Sequence, residues 1–212
     1  MAALKVCGVT RRADLQACDR LGVDAVGINL WSGSKRGLAS SAAKALLESS
    51  RGAQRVGVFV DHAPHEVVAI ARELELDAIQ PHGDAAPGPF AALGLPWVWV
   101  IRGTPELDTL AVPQPLPAWI LLDAAVPGFG GGGAKTDWVW AALAVQALSP
   151  LPVWLAGGIT GDNAADALAQ VRPAGLDVAS GSEVVGATHG EKDVARIEAL
   201  LRAVRAASYA AW

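Results

Sequence analysis

Short apolar runs bounded by Gly, Pro, Asp or Ser recur at 4–8, 25–30, 55–60, 78–80, 97–101, 119–122, 153–156 and 176–179. Their spacing averages about 25 to 30 residues, the length of one βα unit. Helix-period stretches lie between most of them, at 11–21, 41–48, 65–74, 138–147, 163–170 and 192–206, with only a weak one after Ile101. Strands that alternate with helices run parallel and are covered on both faces, which is why these runs are apolar at nearly every position. Eight of them call for closure, so the expected fold is α/β, a (βα)8 TIM barrel forming a single domain over 1–212, with a doubly wound open sheet as the competing architecture. The 212 residues fall within the usual range of the barrel, which begins at about 200. The Pro-rich segment 113–117 joins a helix to a strand inside the repeat and is not a domain linker.

Apolar residues make up 52% of the chain and charged ones 18%, ample for a large core and too apolar for a disordered tail. A net charge of −4 with no Lys or Arg run argues against nucleic-acid and anionic-membrane partners and favours a small molecule. Lys5, Arg11, Arg12 and Asp14 interrupt any signal-peptide core, and no apolar run reaches the ~18 residues of a membrane span, so a cytoplasmic protein is expected. The two cysteines, Cys7 and Cys18, are too few for a disulfide framework. Neither they nor the histidines show metal-ligand spacing, and no metal or cofactor is expected.

In such barrels function gathers at the C-terminal ends of the strands. The polar residues there are Cys7, Gln80, His82, Asp123, the pair Gly157-Gly158 and the pair Ser180-Gly181. Read alone, each has a plain alternative: a lone Cys is commonly a buried apolar filler, an Asp after a strand caps a turn, and a Gly pair makes a βα turn. Two Gly-containing turns on adjacent strands suit phosphate, because backbone N–H groups approach an anion closely where Cβ is missing. Asp123 follows the apolar Trp119-Ile120-Leu121-Leu122, where desolvation favours a protonated carboxyl. Asp162 or Asn163 is expected to N-cap the following helix, and Cys18, mid-helix without a motif, is structural. Trp97, Trp99, Trp119 and Trp154 read as packing and Trp31 as a candidate pocket wall. His62, His65 and His189 read as solvent-exposed. The glycine-rich stretch after the sixth strand, 128–134, reads as a mobile lid.

The runs Lys5-Val6-Cys7-Gly8-Val9-Thr10, Gln80-Pro81-His82-Gly83-Asp84, Leu121-Leu122-Asp123-Ala124, Leu155-Ala156-Gly157-Gly158-Ile159-Thr160 and Asp177-Val178-Ala179-Ser180-Gly181-Ser182-Glu183 together resemble the phosphoribosylanthranilate isomerase family. They fall in the family's order, as do Gly22-Val23-Asp24-Ala25-Val26-Gly27 and Val56-Gly57-Val58-Phe59-Val60-Asp61. The resemblance implies an Amadori rearrangement of a phosphoribosyl substrate in tryptophan biosynthesis. In it Asp123 is general acid and Cys7 general base, with the iminium nitrogen as electron sink and no cofactor. It further implies that Arg36 binds the anthranilate carboxylate, that Gln80 and His82 face the substrate, and that Gly157, Gly158, Ser180 and Gly181 bind phosphate. A thiol titrates near 8.5, and positive surroundings for Cys7 would raise its thiolate fraction. The oligomeric expectation is a monomer or homodimer.

The match departs in three places. Pro81 removes a backbone donor where the family has an aliphatic residue, Lys35 replaces a proline and is expected to loosen the loop of Arg36, and the lid carries extra glycine. Two other functions compete. Indoleglycerol-phosphate synthase chemistry needs a Lys at the C-terminal end of a strand, and none is found there. A catalytically silent phosphosugar-binding barrel would lack Cys7 or Asp123, and both are present.

Overall fold

A computed structural model describes residues 2–49, 52–84, 86–125, 135–187 and 190–209. Eight strands, β1 (Ala3–Cys7), β2 (Ala25–Asn29), β3 (Gln54–Phe59), β4 (Ala78–Pro81), β5 (Val98–Arg102), β6 (Trp119–Asp123), β7 (Val153–Leu155) and β8 (Gly175–Val178), form one parallel sheet ordered β4-β3-β2-β1-β8-β7-β6-β5. Its two ends meet through an Ile79–Trp97 bridge and a 2.9 Å bond from Ile79 N–H to the Pro96 carbonyl, which closes the barrel and sets aside the open sheet. The predicted lid at 128–134 and His189 lie outside the described residues.

The covering helices are α1 (Arg12–Leu21), α2 (Ser40–Leu47), α3 (Pro64–Glu73), α4 (Gly88–Ala91), α5 (Trp138–Ala147), α6 (Ala164–Val171) and α7 (Val194–Tyr209). After β5 only a short 3₁₀ turn, Leu107–Thr109, forms; Pro113, Pro115 and Pro117 downstream lack the N–H groups a helix needs. Local chemistry sets the ends. Gly22, left-handed at φ 73°, stops α1 with its N–H on Asp19 and Cys18 carbonyls, while Asp137 starts α5 by accepting from Val139 and Trp140 N–H.

Along each strand alternate residues face opposite ways. Leu4, Val6, Val26, Ile28, Ile120, Leu122, Leu155, Leu176 and Val178 pack outward with the helices in the larger core. A second cluster, Ala25, Val56, Ala78, Val98, Trp119, Leu121, Trp154 and Ala156, fills the barrel interior. Trp119 and Trp154 stack at 5.4 Å between ring centroids, and a Cβ on Gly175 would lie 2.6 Å from the Trp154 ring. Two large rings set against small residues let the barrel interior pack closely. The same parity places Lys5, Cys7, Gln80, His82, Asp123 and Asp177 on inward positions, above this apolar floor.

Pro81 acts on the seam rather than the mouth. In a parallel strand alternate N–H groups point to the same neighbour. Ile79 donates to the β5 side, so residue 81 would donate there next and, as proline, cannot. His82 N–H resumes pairing on the β3 side, with Phe59 O at 2.7 Å. The β4–β5 seam therefore holds one bridge, and a cavity of about 40 Å³ opens beside it, lined by Pro81, Gly83, Trp97 and Trp99 among others.

Candidate active site

Cys7 ends β1, and its thiol sits over Gly27 of β2. A Cβ at Gly27 would lie 2.6 Å from Cys7 Sγ, so the neighbouring strand needs glycine there to admit the sulfur. Burial pushes the thiol pKa up, the Lys5 and Lys192 ammonium groups oppose this, and the Asp177 carboxylate adds to the rise; the net shift is upward. The expected positive surroundings are present, yet desolvation outweighs them, and the resting group is a thiol. Cys18 is buried in the core side of α1, where burial pushes its thiol pKa up to about 12.

Lys5, two residues before Cys7 and therefore on the same face, is fully buried. Its ammonium donates to Asp177 Oδ2 at 2.7 Å and to Gln80 Oε1 at 3.0 Å, and its charge also acts on Cys7. Burial alone would lower its pKa, but Asp177 and Cys7 outweigh that and the net shift is upward, so Lys5 is charged. Gln80 Nε2 lies 3.2 Å from His82 Nδ1, and His82 Nε2 lies 3.2 Å from Asp123 Oδ2. The other Asp123 oxygen accepts from Ala124 N–H at 2.9 Å. One continuous polar chain thus crosses the barrel mouth from Asp177 through Lys5, Gln80 and His82 to Asp123.

Arg36 follows β2 and folds back over Gly8, which is left-handed at φ 72° and has no room for a Cβ beside the Arg36 side chain. Its guanidinium grips Glu183 with two bonds, Nε to Oε1 at 2.6 Å and Nη2 to Oε2 at 2.8 Å. Lys192 Nζ joins the same carboxylate at 3.2 Å and donates to the Cys7 carbonyl at 2.7 Å. Burial works to raise the pKa of Glu183, but the two cations together hold it below the ordinary carboxylate value. In the loop of Lys35, Arg36 N–H bonds Ser34 Oγ and Leu38 N–H bonds the Asn29 carbonyl. Trp31 stays half-buried in this loop, against Gly33.

After β7, Gly157 and Gly158 are both left-handed, at φ 86° and 65°. Gly157 abuts the Thr136 hydroxyl, which itself donates to the Ala156 carbonyl at 2.8 Å. After β8, Ser180–Ser182 forms a 3₁₀ turn whose Gly181 packs directly on the Ile159 carbonyl. The two turns are thereby locked together. Asn163 is the N-cap residue of α6, as expected, but its side chain makes no capping bond; its Oδ1 accepts from Thr160 N–H and its Nδ2 donates to the Gly158 carbonyl, which ties down the glycine turn. Trp97, Trp99, Trp119 and Trp154 are buried as packing residues. His65 is exposed, but His62 is half-buried, with Nδ1 2.9 Å from the Val60 carbonyl and its ring against Phe59.

A family model described as N-(5'phosphoribosyl)anthranilate (PRA) isomerase matches residues 4–203. The chain belongs to the phosphoribosylanthranilate isomerase family. A phosphoribosylanthranilate isomerase of Thiobacillus denitrificans is 41% identical over 207 residues, which span 96% of this chain and 98% of its own. That of Myxococcus xanthus is 39% identical, over 95% of each chain. Among solved structures, the phosphoribosylanthranilate isomerase of Thermus thermophilus matches with a TM-score of 0.82 at 32% identity, covering 96% of this chain and 98% of that one. A phosphoribosylanthranilate isomerase in complex with reduced 1-(o-carboxyphenylamino)-1-deoxyribulose 5-phosphate matches with a TM-score of 0.80 at 25% identity, over 97% and 100%.

Sequence reading of this phosphoribosylanthranilate isomerase site passed over Lys5, Asp177, Glu183 and Lys192, though two of them carried a signal. Lys5 interrupts an apolar strand, and a buried charge requires a partner. Lys192 was expected to begin the last helix, where a cation opposes the helix dipole; the structure starts α7 at Val194 and turns Lys192 into the site instead. Among the described residues no helix is long and apolar enough to cross a membrane.

Proposed function

We propose that this member of the family isomerises N-(5'-phosphoribosyl)anthranilate to 1-(2-carboxyphenylamino)-1-deoxyribulose 5-phosphate in tryptophan biosynthesis, with Asp123 as general acid and Cys7 as general base. The observation that carries this reading is that Cys7 and Asp123 end strands of one barrel on inward positions at the same mouth, joined by the Lys5–Gln80–His82 chain. Protonation of the ribose ring oxygen by Asp123 breaks the C1′–O bond and leaves an iminium. Cys7, as thiolate, then removes the C2′ proton, and the electron pair moves toward nitrogen to give an enolamine. Delivery of that proton to C1′ and return of the C2′ hydroxyl proton to Asp123 yields the ketose and restores both groups.

Arg36 gives its Nε side to Glu183, so the anthranilate carboxylate meets the outer hydrogens of Nη1 and Nη2, a planar match for that anion. Gln80 and His82 wall the substrate pocket. Gly157, Gly158, Ser180 and Gly181 receive the phosphate on backbone N–H groups, where two interlocked turns are already shaped. Every residue invoked comes from one chain, within one domain over 1–212 on this reading, so a monomer and a homodimer serve equally. Two free cysteines fit a cytoplasmic enzyme.

The test follows loss of phosphoribosylanthranilate fluorescence, with an excess of indoleglycerol-phosphate synthase as the coupling enzyme. The parent is expected to turn over, and Cys7→Ala and Asp123→Asn to fall by about 10²-fold or more, as acid and base roles require. A folded but inactive parent would leave a phosphosugar-binding barrel without catalysis.

A further inference from the structure

The hydrogen-bond chain that ends on Asp123 has only one direction consistent with its chemistry. An ammonium can donate but not accept, so the Gln80 atom 3.0 Å from Lys5 Nζ is the carbonyl oxygen and the atom facing His82 is the amide nitrogen. Gln80 Nε2 donates, and His82 Nδ1 must therefore accept and carry no proton. A neutral imidazole has one N–H, which is left on Nε2, 3.2 Å from Asp123 Oδ2.

From this we infer that Lys5 and Gln80 are positioning residues that lock His82 as the neutral Nε2–H tautomer, so that His82 can donate to Asp123 but cannot take its proton. The inference rests on the reading of Asp123 as the acid and makes His82 a donor beside it rather than a competing base. Beside a carboxylic acid, a histidine with a free Nε2 is a competing base that would convert the pair to imidazolium and carboxylate. Here Nε2 is already occupied. After proton donation the new carboxylate receives N–H groups from His82 and from Ala124, in the directions where the charge develops. The lock is itself well anchored: Lys5 is fully buried and donates to Asp177 as well as to Gln80. The same ammonium that orders the acid arm also faces the base.

Gln80→Glu is the discriminating change, because a carboxylate at 80 still accepts from Lys5 but can no longer donate to His82. It would instead accept from Nδ1–H, freeing Nε2 to take the Asp123 proton. The measurement is two-bond ¹H–¹⁵N correlation spectroscopy of the labelled resting enzyme from pH 6 to 8.5, with His82 assigned by the signals missing from His82→Asn. In the parent, His82 is expected to show a protonated Nε2 and a bare Nδ1. In Gln80→Glu both nitrogens are expected to be protonated at neutral pH, with kcat/KM down at least about tenfold and its pH profile shifted. A parent His82 that is protonated on Nδ1, or an imidazolium across this range, overturns the inference, as does a folded Gln80→Glu that keeps the Nε2–H tautomer. If Gln80→Glu fails to fold, the parent spectrum alone decides. The tautomer is read without turnover, so full activity in Asp123→Asn would refute the acid assignment separately.

Discussion

Replacing Lys5 with Met tests whether the buried network is structural as well as chemical. Lys5 is fully buried, Asp177 keeps 5% of its side-chain surface, and their N–O distance is 2.7 Å. Among the described residues Asp177 Oδ1 has no hydrogen-bond partner, and Lys5 is the donor to Oδ2. Lys5→Met therefore strands a carboxylate inside the barrel, the situation in which breaking one partner of a buried pair costs about 3–5 kcal/mol. At roughly 2–4 °C per kcal/mol for a domain of this size, the melting temperature should fall by about 6–20 °C. Urea unfolding followed by tryptophan fluorescence measures the loss as a lower midpoint at unchanged slope, and Trp119 and Trp154 on the barrel floor are natural reporters. The double variant Lys5→Met, Asp177→Leu removes both charges and should be less destabilised than the sum of the two single changes by about 2 kcal/mol or more. Gln80 loses its donor in Lys5→Met with or without Asp177, so that loss cancels in the cycle. A cost under about 1 kcal/mol for Lys5→Met, or strict additivity in the double variant, would refute the claim that these charges depend on each other.

Two further outcomes follow from the base. Gly27→Ala puts a Cβ 2.6 Å from Cys7 Sγ and 3.1 Å from Cys7 Cα; the β1–β2 pair must open to accept it. A loss of about 1–3 kcal/mol in urea unfolding, with kcat reduced more than KM is altered, is expected, and an unchanged kcat would show that the sulfur position is not critical. The upward shift of the Cys7 thiol by burial means that the thiolate is the minor species at neutral pH and grows as pH rises. Both kcat/KM and the rate of Cys7 alkylation by iodoacetamide should therefore climb with pH beyond the ordinary thiol value of about 8.5, and a plateau below it would place the base elsewhere.

The strands were legible within a residue or two because both faces of a parallel strand are buried, so hydrophobicity alone marks them. The segment after β5 was ambiguous for a physical reason: its prolines leave a helix no continuous set of donors. Cys7, His82 and Asp123 could be placed because Cys7 and Asp123 end their strands and His82 directly follows β4. Asn163 holds the N-cap position that its place before a helix indicates, but only the approach of Gly158 and Thr160 decides that its side chain ties the loop instead of capping. The bonds from Ser34 and Glu183 to Arg36 were illegible in the same way, since no local pattern announces them.

The sequence by itself determined the alternation, and with it the set of residues that face inward: a two-residue period puts Lys5 with Cys7 and Gln80 with His82 whatever surrounds them. Tertiary structure alone decided which inward residues meet. Lys5 and Asp177 are separated by 172 positions and Arg36 and Glu183 by 147, yet each pair is in hydrogen-bond contact. Closure of the sheet brings β1 beside β8 and carries the chain of β4 across to β6. Charge pairing acts through space over a few ångströms, so its partners are set by the barrel's circumference and not by distance along the chain.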